Sequence, residues 1–178
     1  MTIKEAKSLI ARACMDQGRA NHWLELGCGT GTFTRALAEL LPAGSTITAV
    51  DRDVAALRAV PAMHQGVRIA TLNADVGEPL PGPMDGVLLA NVLHFVESKE
   101  KLLARIAQVA QTALLVEYDT ARPLAPWVPF PLPRHGAAPL FAKAGFDHAV
   151  LLGERPSRYG HGPLYAMAFT HGLATESP

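Results

Sequence analysis

The sequence predicts an α/β fold: a doubly wound sheet of seven mostly parallel strands, with helices on both faces and an antiparallel last strand. Three observations predict it. Strand-like and helical patterns alternate from His22 to Tyr118, the signature of a parallel sheet covered on both sides. The runs DGVLLA and TALLVEY are apolar at consecutive positions, as strands buried on both faces are. GERPSRYGHGP, between the last two strand patterns, is long enough for a hairpin, which reverses the final strand at or near the sheet edge. At 178 residues the chain forms one domain, 1–178.

The elements follow in order. Ile3, Ala6, Ile10 and Ala13 recur at helical spacing and predict a leading helix within residues 1–18. HWLEL reads as the first strand, and a glycine-rich turn follows it directly. Phe33, Ala36, Leu37, Leu40 and Leu41 mark one helix face, which Pro42 and Gly44 stop. STITAVD, rich in β-branched residues, is the second strand; Asp53 caps a short helix from there toward Val60. VRIATLN and DGVLLA are the third and fourth strands. Ser98 is expected to cap a helix with an inner stripe of Leu102, Leu103, Ile106 and Val109, its start ESKEK reading as a solvated face, and TALLVEY is the fifth strand. Prolines then crowd residues 119–139, too many for a regular element, and predict a structured loop. LFAKAGF resumes a short helix, HAVLL and PLYAMAFT are the sixth and seventh strands, and 171–178 is a frayed tail.

Composition excludes several classes of function. Basic and acidic residues balance at 16 each, so no global field draws the chain to nucleic acid or to anionic lipid. The N-terminal segment carries Lys4, Glu5, Lys7 and Arg12, unlike a signal peptide, and no apolar run reaches membrane-spanning length. Cys14 and Cys28 are the only cysteines and the seven histidines lack ligand spacing, which argues against a disulfide framework and a metal site. A cytoplasmic location is expected.

The most informative stretch is LELGCGTGTFT, with Gly27, Gly29 and Gly31 at alternate positions between a strand and a helix. The carboxyl end of a first strand opens onto the crevice where α/β sheets bind ligands, and residues without Cβ let the backbone approach a ligand closely. A nicotinamide fingerprint needs its third glycine three positions after the second, where this chain has Thr32. The G-x-G-x-G spacing behind Glu25, with Asp51 closing the second strand, Asp75 after the third and the MDGVLLANVLHFV stretch, resembles the class I methyltransferases that use S-adenosylmethionine. The likeness runs from about Asn21 to Thr170 and implies a Rossmann-like methyltransferase fold.

The resemblance implies roles for particular residues. Glu25 faces the amino group of the cofactor, while Gly27, Cys28, Gly29 and Gly31 lie against its methionine and ribose portions. Asp51, beside Arg52, accepts from the ribose hydroxyls; Asp75 and Val76 meet the adenine; Asn91 borders the reactive methyl. Duller readings stand beside these. Asp51 and Asp75 also suit turns, and Cys28 needs only to be small. His94 and Tyr118 are the candidate catalytic groups, each equally suited to a structural place. Trp127 and Phe130 of the proline-rich loop cover an apolar acceptor or plug the core. Arg155, Arg158 and Tyr159 are placed to hold a carboxylate or phosphate on the acceptor, or simply to face solvent. The sequence lacks the Asn/Asp-Pro-Pro-aromatic signature of amino-group methylation, having NVLH instead. This argues against DNA-adenine or glutamine methylation and favours a small-molecule acceptor; with the charge balance and the histidine spacing, no nucleic-acid partner and no metal are expected. Alternatives remain open: a non-catalytic cofactor-binding partner subunit and, within enzymes, an aminopropyl transferase or a nicotinamide-dependent oxidoreductase.

Overall fold

The structure is a computed structural model, and it describes all residues except 14, 16, 158–161 and 173–178. Among the described residues eight strands form one sheet: β1 (His22–Leu26), β2 (Thr46–Asp51), β3 (Met63–His64), β4 (Val67–Asn73), β5 (Met84–Ala90), β6 (Ala110–Tyr118), β7 (His148–Arg155) and β8 (Leu164–Thr170). Their order is β3-β4-β2-β1-β5-β6-β8-β7. β1, β2, β4, β5 and β6 pair in parallel, while β8 runs antiparallel to both β6 and β7.

Helices α1 (Ile3–Ile10), α2 (Thr32–Ala38) and α3 (Val54–Leu57) precede α4 (Lys99–Val109) and α5 (Arg134–Ala142), with one 3-10 turn at Leu93–Phe95. The central strands alternate between two cores. Trp23, Leu88 and Ala90 pack with Ile10 and Leu37 on one face; Leu24, Leu26, Val87 and Leu89 pack with Leu103, Ile106 and Phe141 on the other. Each strand thus feeds both faces, which is why its sequence reads as a continuous apolar run. Phe141 stacks on Phe169 at 3.8 Å between ring centroids.

Several expectations need correction. The leading helix ends at Ile10 rather than near 18. Its start is fixed by a capping box, in which the Thr2 hydroxyl accepts from the Glu5 amide and the Glu5 carboxylate accepts from the Thr2 amide; Cys14 lies outside the described residues. The strands number eight because Met63–His64 folds back as a two-residue antiparallel edge on β4, too short to leave a periodic signal. The last strand does run antiparallel near the edge, as expected, inserted one place in from β7, which occupies the edge itself. α5 starts at Arg134, inside the proline-rich stretch, and contains Pro139. That proline removes one helical donor, while burial of Ala137 and Phe141 holds the helix. Ser98 stands at the N-cap of α4 but makes no side-chain capping bond. Asp53 does cap α3, accepting from the Ala55 and Ala56 amides at 2.8 and 3.2 Å.

Candidate cofactor and active site

Parallel pairing puts the carboxyl ends of β4, β2, β1 and β5 side by side. Register aligns Leu26 with Val50 and Leu89, and Asp51 with Asn73. The residues just beyond these ends therefore share one rim. Connections leave in opposite directions from β1 and β5, making this the topological switch point of the sheet. A cleft of ≈ 710 Å³ opens there, within the range of small-molecule sites. Gly27, Asp51, Arg52, Asp75, Val76 and Asn91, all named from the sequence, line it.

The turn after β1 is built around bare backbone. Gly27 has φ +69°, and a Cβ there would stand 2.6 Å from Val92 Cγ2. Gly29 has φ +53°, but no atom lies within 4 Å of where its Cβ would be. The first glycine is demanded by the protein's own packing, the second by conformation beside open space. The Cys28 amide donates to the Val50 carbonyl at 3.0 Å, tying the turn to β2. Burial pushes the Cys28 thiol up to about 12, with Glu25 and Asp51 adding to the effect, so it remains protonated and is no nucleophile near neutral pH.

Asp51 organises the rim. Its Oδ2 accepts from the Gly29 amide at 2.7 Å and its Oδ1 from the Asp53 amide at 2.8 Å. Each carboxylate oxygen has a second lone pair, so both can still accept from a ligand. Asp75 Oδ1 accepts from the Gly77 amide at 2.8 Å, shaping the turn after β4. No local pattern marks the residue that clamps that turn: Arg105 of α4 donates to the carbonyls of Val76, Gly77 and Glu78 at 2.5, 2.7 and 2.8 Å. Phe95, Ser98, Lys101 and Leu102 also line the cleft. Only the position of α4 beside the strand ends could have pointed to them.

Glu25 is buried within β1, where the Thr34 hydroxyl donates to it at 2.5 Å. Burial raises its carboxyl to about 8; the Thr34 bond and Arg35 oppose the rise and Asp51 adds to it. The folded value lies above that of an unfolded carboxyl, so the folded chain keeps a proton that the unfolded chain releases. The stability tied to that proton is complete below pH 4.5 and is lost as pH rises to about 8.

His94 and Glu117 form a buried pair at the ends of β5 and β6. His94 Nδ1 lies 2.7 Å from Glu117 Oε2, and the His94 and Tyr118 amides each donate to the same carboxylate at 3.2 Å. The His94 side chain is 4% exposed and does not line the large cleft. Its ring lies 4.2 Å from that of Phe95 and 5.7 Å from that of Tyr118. Twenty-three positions separate His94 from Glu117, which hid the pairing from sequence patterns.

The proline-rich loop is pinned rather than free-standing. The Phe130 amide donates to the His94 carbonyl at 2.9 Å, and the Tyr165 hydroxyl donates to the Leu132 carbonyl at 2.8 Å. Trp127 is 65% exposed and Phe130 37%; neither lines the large cleft. Lys99 departs from the expected solvated face. It is buried, donates to the Val96 carbonyl at 2.8 Å and lies 5.6 Å from the Phe130 ring centre. Arg158 and Tyr159 lie outside the described residues. Among the described residues no cluster of metal-ligating side chains occurs, and no helix is long and apolar enough to cross a membrane.

Comparisons with known proteins bear on this geometry. Residues 24–112 match the model of a family described as a methyltransferase domain. Trans-aconitate 2-methyltransferases are similar over shorter stretches: the Paracidovorax citrulli protein is 30% identical over 104 residues, and the Delftia acidovorans protein 36% over 117. These stretches cover 58% and 63% of this chain but only 39% and 42% of the relatives, so the chain spans about two fifths of the length of the curated relatives it matches. Among solved structures, magnesium protoporphyrin IX methyltransferase from Synechocystis PCC 6803, with S-adenosylmethionine bound, superposes with a TM-score of 0.72 at 16% identity, over 96% of this chain and 79% of that one. The N-terminal domain of EvdMO1, with S-adenosylhomocysteine bound, gives 0.68 at 22%, over 96% and 81%; these likenesses establish the fold. With half of its length matched by the family model and the motif residues gathered on one rim, the chain belongs to the methyltransferase-domain family of class I S-adenosylmethionine-dependent methyltransferases.

Proposed function

We propose that the chain transfers the methyl group of S-adenosylmethionine to a small-molecule acceptor. The observation that carries this reading is the convergence of four strand ends on one cleft, bordered by Asp51, the bare Gly27 turn, the Asp75–Val76 turn and Asn91. The residues fit the cofactor. Open space beside Gly29 leaves room for close approach, Asp51 has lone pairs for two ribose hydroxyls, and Asp75 with the Val76 amide suits the adenine edge. Asn91, at φ +57°, has a buried Oδ1 without a hydrogen-bond partner, an orphan acceptor at the cleft wall. The names of the matched relatives support a small acidic acceptor.

S-adenosylmethionine, when bound, supplies a methyl carbon already activated by its sulfonium. The protein's own task is to orient an acceptor and exclude water. Glu117 holds His94 through Nδ1, leaving Nε2 as the ring's accepting nitrogen. We assign this pair first to positioning, since it ties the turn after Asn91 to the end of β6. Proton acceptance at His94, or hydrogen bonding from Tyr118, enters only with an acceptor that arrives protonated.

A melting scan tests the reading directly. S-adenosylhomocysteine at a hundred times its Kd is expected to add about 2.7 kcal/mol, roughly 5–10 °C in a domain of this size, whereas NAD is expected to add nothing. A rise with NAD alone overturns the assignment.

Glu25 provides a second check. A cofactor ammonium beside it favours the carboxylate, so binding expels the proton that burial holds up to about pH 8. Affinity for S-adenosylhomocysteine is therefore expected to climb with pH from 6 to 8. Calorimetry at pH 7 in two buffers of different ionisation heat should register release of about one proton per site. In Glu25→Gln both the release and the climb are expected to vanish; a pH-independent wild type would remove Glu25 from this role.

A further inference from the structure

The same sheet carries a second, smaller cavity, and its place in the topology separates it from the cofactor cleft. The large cleft lies over the ends of β4, β2, β1 and β5. Beyond β5 the sheet continues through β6, β8 and β7, and a cavity of ≈ 80 Å³ lies over that half, bordered by Asn91, Tyr118, Arg155, Ser157 and Leu164. Pairing explains the convergence, because Leu164 of β8 is opposite both Tyr118 of β6 and Arg155 of β7. Asn91 lines both cavities, so it is the point where their contents meet.

Arg155 is the informative residue. One arm of its guanidinium is fixed: Nη2 lies 3.0 Å from Glu5 Oε1, while Glu5 Oε2 accepts the Thr2 amide at 2.8 Å. The start of α1 thus holds a carboxylate that in turn holds the arginine. The other arm, Nη1, is buried and has no hydrogen-bond partner among the described residues. A guanidinium keeps its charge at every accessible pH and presents donors in a rigid fork. A buried donor without a partner is costly unless something supplies an acceptor oxygen. Glu154, the other acid beside it in sequence, is engaged at 3.1 Å by Arg134.

Resting on the methyltransferase reading above, we infer that the small cavity is the acceptor subsite and that it selects a molecule carrying a carboxylate, received by Arg155 Nη1. A single free arm and a space of ≈ 80 Å³ suit one carboxylate group. The neighbouring Glu5 charge disfavours a group that carries two negative charges on itself, as phosphate does, over a single carboxylate group. The anchored end lies over β7 and β8; the end that receives the methyl lies at Asn91. Helix α1 thereby sets acceptor specificity through Glu5, since it fixes which guanidinium arm stays available.

The test is calorimetry on the full chain saturated with S-adenosylhomocysteine, titrated with trans-aconitate, succinate and benzoate and with the corresponding amides. At least one carboxylate is expected to bind saturably, with its amide about tenfold weaker or worse, and binding should weaken with added salt. Arg155→Gln should lower carboxylate affinity roughly tenfold to a hundredfold, as expected for a charge-assisted pair, with the Kd for S-adenosylhomocysteine held within about threefold. Arg155→Lys keeps the charge without the fork and should fall between. Glu5→Gln keeps an acceptor oxygen for Nη2 but removes the neighbouring charge, so carboxylate binding should be at least as tight, and a loss of binding overturns the part given to the Glu5 charge. No saturable heat from any of the three carboxylates, equal binding of the amides, or an unchanged Arg155→Gln each overturns the inference. Should Arg155→Gln misfold, the amide comparison on the wild type decides. Failure of S-adenosylhomocysteine itself to bind would instead strike the functional reading; its binding without any carboxylate selectivity removes this subsite alone.

Discussion

Asp51→Ala is expected to weaken S-adenosylhomocysteine binding roughly a hundredfold or more while leaving the unliganded chain folded. In the assignment above, the substitution removes two hydrogen bonds from ribose hydroxyls to an ionised acceptor, each worth about 1.5–3 kcal/mol. It also frees the Gly29 amide, which now donates to Asp51 Oδ2 at 2.7 Å, so the glycine turn loses its brace from β2. Asp51 is only half-buried and closes a strand, so no core contact goes with it. Calorimetry should therefore show the loss in Kd, and circular dichroism an unchanged fold. Asp51→Asn, which keeps one acceptor oxygen, should fall between. Wild-type affinity in Asp51→Ala would mean that the sugar is held elsewhere.

The second large effect falls on stability. Gly27→Ala is expected to cost about 2–5 kcal/mol, because two penalties combine: a left-handed backbone costs a residue with Cβ about 1–2 kcal/mol, and overpacking about 1–3 kcal/mol. The new Cβ would meet Val92 Cγ2 at 2.6 Å, nearer than such atoms pack. A melting midpoint lower by roughly 5–15 °C should result. Gly27→Ala combined with Val92→Ala separates the penalties, since trimming Val92 relieves the crowding but not the φ. Partial recovery in the double variant is the expected outcome. Full recovery would show that conformation is unimportant there, and none that crowding is.

How much of this was legible in the sequence follows from where each signal originates. The central strands could be read because Leu24, Leu26, Val87 and Leu89 face one core while Trp23, Leu88 and Ala90 face the other, so double burial is written as consecutive apolar residues. The residues of the cleft rim were legible because they sit at fixed distances past strand ends: Gly27 after β1, Asp51 at the end of β2, Asp75 after β4. Glu25 stood out as an acid inside an apolar run. What escaped depends on three-dimensional meeting. Arg105 reaches the carbonyls of the turn after β4 from 27 to 29 positions away, and nothing in its helical setting distinguishes it from a surface arginine. Glu117 and His94 likewise become a pair only when β6 lies beside β5. The start of α5 was hidden because Pro133 and Pro139 argue locally against a helix that burial of Phe141 nevertheless holds together. Arg155 could be marked as an anion ligand or as a solvent-facing residue; its contact with Glu5, 150 positions away, decides that one arm is restrained.

The insertion of β8 between β6 and β7 has a consequence for synthesis. Residues 22–90 contain all five strands of the cofactor half and emerge from a ribosome as one continuous stretch. The other half has to wait: β7, made earlier, has no neighbour until Leu164–Thr170 follows it out, and until then β6 presents an open hydrogen-bonding edge. A nascent chain stalled before residue 164 would thus possess the rim of the large cleft yet lack the paired β7–β8 wall on which Arg155 is mounted, and its uncovered β6 would be the place where a chaperone, or another unfinished copy, takes hold.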